Sequence, residues 1–112
     1  MKNKVQLIGN LGKDPEIKTT DNGKKLARFS VATNEVYRTP SGEKIEDTQW
    51  HNLIAWGKVA DIAEKFLRKG KEVAVDGKLI HRNYLDKEGK KRTITEIQVN
   101  ELLLIGNKEK SQ

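Results

Sequence analysis

Two tryptophans, Trp50 and Trp56, stand in one extended stretch, Asp47-Thr48-Gln49-Trp50-His51-Asn52-Leu53-Ile54-Ala55-Trp56-Gly57. Side chains alternate across a strand, so Trp50, Asn52, Ile54 and Trp56 share one face, and His51, Leu53 and Ala55 the other. Both faces carry apolar groups and both need cover. A closed barrel has a single interior, which suits Leu53 and Ala55. The two indoles beside Asn52 then read as an outer surface awaiting a partner. An indole offers a flat π-face on which any nucleobase can stack, at about 1–3 kcal/mol per base. Spacing alone equally allows both indoles to be core aromatics. Tyr37 precedes Arg38, and Tyr84 follows Arg82 and Asn83, each at the base of a loop. Aromatics interleaved with cations form a groove in which phosphates are tracked while bases stack. A lone pair of this kind is as well explained by amphipathic side chains snorkelling at a loop edge. Two pairs at matching loop bases favour the groove. Lys24-Lys25, Arg68-Lys69-Lys71 and Lys90-Lys91-Arg92 are further basic clusters. Taken singly, each reads as a solvated face, and Asp86 and Glu88 dilute the last.

Other chemistry finds no footing. No serine, cysteine or acid is placed with His51 in a catalytic motif, and His81 has no ligand-spaced companion. Gly9-Asn10-Leu11-Gly12 lacks the Gly-Lys-Ser/Thr ending of a phosphate loop, so it reads as turn punctuation. Asp14 and Glu16 flank Pro15 as surface charge. The chain has no cysteine, which excludes disulfides and thiolate metal sites. The expectation is a binding protein rather than an enzyme, with no catalytic residues, no metal and no cofactor.

The elements that position these residues fit one domain of 112 residues. Its formal net charge of +6 suits a polyanionic partner. No apolar run approaches the roughly 20 residues that span a bilayer. Val5-Gln6-Leu7-Ile8 is too short for a signal-peptide core, so a cytoplasmic location is expected. Val5 to Gly9 reads as a first strand, and Lys13-Asp14-Pro15-Glu16 as loop. Asp21-Asn22-Gly23 is a turn. Leu26 to Thr33 alternates, with Ala27, Phe29, Val31 and Thr33 on one side and Arg28, Ser30, Ala32 and Asn34 on the other. Thr39-Pro40-Ser41-Gly42-Glu43 is a hairpin loop, and Asp47 to Gly57 a long strand. Val59, Ile62, Ala63, Phe66 and Leu67 then mark one helical face, with Gly70 as a left-handed stop. Lys71 to Tyr84 and Thr93 to Val99 are strands around the loop Asp86-Lys87-Glu88-Gly89-Lys90. Leu102 to Ile105 is a short apolar end-piece, and residues 107–112 a polar tail. Three strands, a helix and two strands give an all-β fold: a five-stranded OB-fold barrel with one α-helix between strands 3 and 4, over residues 1–106.

Several ordered blocks also resemble bacterial single-stranded DNA-binding proteins. They are Asn3-Lys4-Val5, Leu7 through Glu16, Phe29 through Glu35, Thr48-Gln49-Trp50-His51, Trp56-Gly57-Lys58, Leu67-Arg68-Lys69-Gly70 and Asp76-Gly77-Lys78-Leu79. The resemblance they carry extends over nearly the whole chain, about residues 3 to 106. The resemblance implies a homotetramer that wraps single-stranded DNA around its outside in replication, recombination and repair, in association with the nucleoid. It implies stacking by Trp50, Trp56, Tyr37 and Tyr84. Trp50 falls on a stacking tryptophan of the family, Tyr37 and Tyr84 where the family often has tryptophan, and Trp56 where it often has phenylalanine. Lys58 and Lys69 fall on basic positions near the DNA path, and His51 near the subunit interface. Arg38 and Arg82, beside the tyrosines, complete the expected phosphate contacts. Family members often end in an acidic tip that recruits replication and repair proteins. The last residues here, Lys108-Glu109-Lys110-Ser111-Gln112, carry no such tip. Two other readings share the fold: an assembly factor that binds DNA only weakly, and a cold-shock-type RNA chaperone.

Overall fold

The computed structural model describes residues 2–105; the tail expected at 107–112 lies outside the described residues. The elements are β1 (Val5–Leu11), β2 (Glu16–Thr19), β3 (Lys25–Arg38), β4 (Lys44–Trp56), α1 (Gly57–Phe66), β5 (Glu72–Leu85) and β6 (Lys91–Ile105). They lie in the order β1-β5-β6-β4-β3-β2, and β1 also pairs with β3. That last contact, Asn10↔Ala32 and Leu11↔Val31, closes β1, β5, β6, β4 and β3 into a five-stranded barrel. One neighbour pair, β4 with β6, is parallel; the other pairings of the ring are antiparallel. Counted around the closed ring, α1 joins its third strand to its fourth, as the element order implies.

Four local expectations are corrected. Glu16, read as loop, opens β2, which pairs with β3 from Glu16↔Arg28 to Thr19↔Lys25. The expected turn at Asp21-Asn22-Gly23 folds this segment back, with the Gly23 N–H donating to the Thr20 carbonyl at 2.9 Å. A flap of four residues carries no period of its own to read. The helix stops at Phe66, with Leu67 already extended, and Gly70, at φ +88°, shapes the turn that follows. Left-handed backbone at that point needs a residue without a Cβ. The buried helical positions are Ala60 and Ala63, with Leu67 just beyond, while Ile62 and Phe66 are exposed. The small side chains let α1 lie close to the barrel, so the largest apolar groups of the helix point outward. Finally, Leu102 to Ile105 continues β6 rather than forming a separate piece, across an irregularity opposite Asp76/Gly77.

The core follows the strand alternation. Ala27, Phe29 and Val31 on β3 face Leu53 and Ala55 on β4, Val73 and Val75 on β5, and Ile97 and Val99 on β6. Leu53 is 1% exposed, so cutting it to alanine there costs about 2–5 kcal/mol in lost transfer energy and cavity. The other side of the same strands is thereby fixed as the outer face.

Candidate nucleic-acid interface

The outer face can be followed residue by residue across the ladders. Ala32 pairs with Trp50, Ser30 with Asn52 and Arg28 with Ile54. Ile54 in turn pairs with Gln98 on β6, which puts Glu96 and Ile94 on this face. Arg82 pairs with Ile94, and Tyr84 with Arg92. One continuous surface therefore runs from Trp50, through Ser30, Asn52, Arg28 and Glu96, to Arg82 and Tyr84.

Trp50 is open: it is 61% exposed. Its underside rests on Gly12, where a Cβ would lie 2.5 Å from Cζ3 of the indole. Gly12 is therefore more than turn punctuation, because any side chain there displaces the ring. The indole is a platform with one face against backbone and the rest toward solvent. Trp56 differs. It is half-buried, and the Lys24 ammonium sits 5.5 Å from its ring centre. Trp50 and Trp56 are six positions apart on the strand, about 20 Å at the usual rise. Tyr84 is exposed, with the Arg82 guanidinium 5.9 Å from its ring centre. A cation over an aromatic face is mutually attractive and keeps both groups extended at the surface.

The remaining expected residues divide. Tyr37 is exposed and pairs with Ile45, so by alternation it lies on the core-side face of a hairpin that projects past the barrel. Arg38 lies on the same face as Trp50, but its Nη1 donates to the Gly42 carbonyl at 3.2 Å and braces the hairpin loop. Ile54, expected on the open face, is 4% exposed, flanked by Arg28 and Gln98 on the strands to either side. Long stems on both sides can cover an apolar group while keeping their polar ends outside. Lys69 is brought beside the first loop, where its backbone N–H donates to Asp14 Oδ1 at 2.8 Å. Lys58 is exposed in the first turn of α1. His51, on the core side, shares a 3.0 Å hydrogen bond between Nε2 and the Thr33 hydroxyl.

The middle of the face holds residues that sequence pattern does not single out. Glu96 is 3% exposed, the one buried charged side chain among the described residues. Arg28 Nη1 donates to its Oε2 at 2.8 Å, and Arg82 donates from Nε to Oε1 at 3.3 Å and from Nη2 to Oε2 at 3.4 Å. Beside them is an open cavity of about 530 Å³, whose lining includes Lys13, Arg28, Ser30, Asn52 and Glu96. One signal is legible: Arg28 is a large cation on the outward phase of β3, directly before the small Ser30 and Ala32. Its partner is not, because Glu96 reaches Arg28 only through the parallel β4–β6 closure. Among the described residues no group of His, Cys, Asp and Glu is arranged to hold a metal ion, and no helix is long and apolar enough to cross a membrane.

Comparison with known proteins agrees with this geometry. The profile of the Single-strand binding protein family matches residues 2–105. A single-stranded DNA-binding protein 1 of Chlorobaculum tepidum is 43% identical over 96% of this chain and 67% of its own length. A single-stranded DNA-binding protein of Neisseria meningitidis is 40% identical over 97% of this chain and 63% of its own length. A Xylella fastidiosa single-stranded DNA-binding protein 1 is 44% identical over 96% of this chain and 79% of its own length. The chain thus spans about two thirds to four fifths of the length of these relatives. A solved Plasmodium falciparum SSB complex with ssDNA superposes with a TM-score of 0.85 at 36% identity, over 95% of this chain and 96% of that one.

Proposed function

Because the chain belongs to the single-strand binding protein family, we propose that it coats single-stranded DNA without base preference, protecting exposed strands in replication, recombination and repair. The observation that carries this reading is the exposed Trp50 indole, backed by Gly12 and continuous along one face with the Arg28, Arg82 and Tyr84 side chains. Trp50 and Tyr84 stack bases. Trp56, under Lys24, and Tyr37, on the projecting hairpin, extend the path, so the strand rounds the β3–β4 hairpin rather than lying on one plane. Lys58, Lys69, Arg82 and Arg38 neutralise phosphates. Affinity then comes from two sequence-blind sources, π-stacking and counterion release. The site of action is the cytoplasm, at the nucleoid.

The protein acts as a homotetramer in this reading. Two surfaces support it. The β1 edge from Val5 to Ile8 has no strand beside it among the described residues, while its other edge pairs with β5. An unpaired edge is a ready template for a second copy. On the outward side of the sheet, Ile8, Ala74 and Leu103 lie in register across β1, β5 and β6, with Ile8 62% and Leu103 65% exposed. Ile62 of α1 lines the same apolar hollow. The place of His51 near a subunit contact rests on the family resemblance alone.

Anisotropy titration of a labelled oligo-dT, with a duplex of equal length as control, tests the function over a series of salt concentrations. The expected result is preference for the single strand, with log affinity falling about 0.7 per log unit of salt for each phosphate neutralised. Equal affinity for the duplex, or a flat salt response, contradicts it.

A further inference from the structure

Glu96 poses a physical question. A carboxylate 3% exposed on the outer face of a strand loses its hydration, and that loss is tolerable only with close, well-paired cations. Here it has two, from strands on different sides of β6: Arg28 on β3 and Arg82 on β5. The cluster itself, one carboxylate and two guanidiniums, carries one excess positive charge, and Lys13, Asp14 and Glu16 line the cavity beside it. The donors are also only partly used. Arg28 commits one N–H to Glu96 and Arg82 commits two, from the five that each guanidinium carries. Both side chains remain partly open, 34% and 42% exposed, whereas the acid beneath them is closed off. Two forked cations are thus pinned from below, with free donors above. Arg28 lines the cavity containing Ser30 and Asn52, on the Trp50 side of the face, and Arg82 stands two residues from Tyr84 with its guanidinium 5.9 Å from that ring. Planar guanidinium forks match phosphate oxygens, and a fork already held in place loses less side-chain freedom on binding.

We propose that Arg28 and Arg82 form a phosphodiester seat on the single-strand path, and that Glu96 is the positioning residue that holds the two guanidiniums there. This rests on the single-strand binding reading and adds two residues and a division of labour to it. Arg28 touches the backbone phosphate directly. Glu96 never touches DNA; it promotes binding of an anion although it is itself an anion. The seat also fixes the strand between the two stacking positions, so that a base on Trp50 and a base on Tyr84 belong to one continuous segment.

The sign of one substitution tests this. Glu96→Gln raises the net charge by one, so simple charge counting requires tighter binding to oligo-dT. The positioning role requires weaker binding, by about tenfold, the scale of a charged hydrogen bond, with a shallower salt slope. Arg28→Ala should weaken binding similarly and lower the slope by about 0.7. Arg28→Lys, which keeps the charge but not the fork, should restore the slope but only part of the affinity. Thermal melts accompany each variant, and if Glu96→Gln does not fold the two Arg28 variants decide alone. Wild-type affinity and slope in Arg28→Ala, or tighter binding by folded Glu96→Gln, overturns the proposal. Failure of the wild-type chain to bind oligo-dT overturns instead the reading on which it rests.

Discussion

A single aromatic ring concentrates the argument at the scale of the residue. Trp50 is large, apolar and 61% exposed, against a glycine that leaves it room. Its removal uncovers no core, so Trp50→Ala should leave the thermal melt unchanged while weakening oligo-dT binding by about 1–3 kcal/mol, read by anisotropy. A large drop in melting temperature would instead mark the ring as structural. Period-two alternation puts Trp50 on the face opposite Leu53 and Ala55 but leaves open which face is interior; the burial of Leu53 and Ala55 decides it. The same alternation cannot separate Trp50 from Trp56. Their difference lies in Lys24, which reaches the Trp56 ring from the turn between β2 and β3. Nor can it identify Gly12 as the floor beneath Trp50, a contact between residues distant in sequence.

At the scale of the element, the two long hairpins β3–β4 and β5–β6 carry Tyr37, Arg38, Arg82 and Tyr84 beyond the barrel, and their loops decide how firmly. Asp86 organises the second loop. The backbone N–H groups of Lys90 and Glu88 donate to its Oδ1, each at 2.9 Å, and Arg92 Nε donates to its Oδ2 at 2.9 Å. These bonds, the Lys90 N–H foremost and Arg92 next, hold the Asp86 carboxyl below its ordinary value of 3.8. Asp76, bonded mainly by Lys4, is lowered in the same way. A folded-state pKa below the unfolded one gives stability that is present above the unfolded value, near pH 4, and is lost as pH falls through the folded value. Amide protection factors across residues 82–92, corrected for the intrinsic rate at each pH, should therefore fall as the pH is lowered from about 4, and Asp86→Asn should already show low protection at neutral pH with a flatter response. A pH-independent loop would contradict the assignment. Both hairpin loops are legible in the sequence, since Pro40, Gly42 and Gly89 fall between alternating runs. The helical face is misjudged from sequence for a physical reason. Periodicity selects the most apolar stripe, whereas close approach to the barrel selects the smallest side chains, Ala60 and Ala63.

For the whole molecule, element order is enough to imply the barrel, but closure is not in the pattern. The contact of Asn10 and Leu11 with Ala32 and Val31, and the parallel pairing of Leu53 with Ile97, join segments that no local period connects. The Arg28–Glu96–Arg82 cluster depends on that closure and stays hidden with it. Closure also leaves the Val5–Ile8 edge and the Ile8–Leu103 surface uncovered, which is where copies should meet. Ile8→Glu should shift the species seen in sedimentation velocity from tetramer toward monomer with the barrel still folded; an unchanged tetramer would move the interface elsewhere. The central claim is that bases stack on an exposed indole, and the most direct measurement is intrinsic tryptophan fluorescence during titration with a long oligo-dT, compared with duplex DNA and with the Trp50→Phe variant. Strong quenching by the single strand alone is expected, most of it lost in Trp50→Phe. Absence of quenching, or an equal response to duplex, would contradict it and leave the exposed Trp50 ring to a contact with another protein surface.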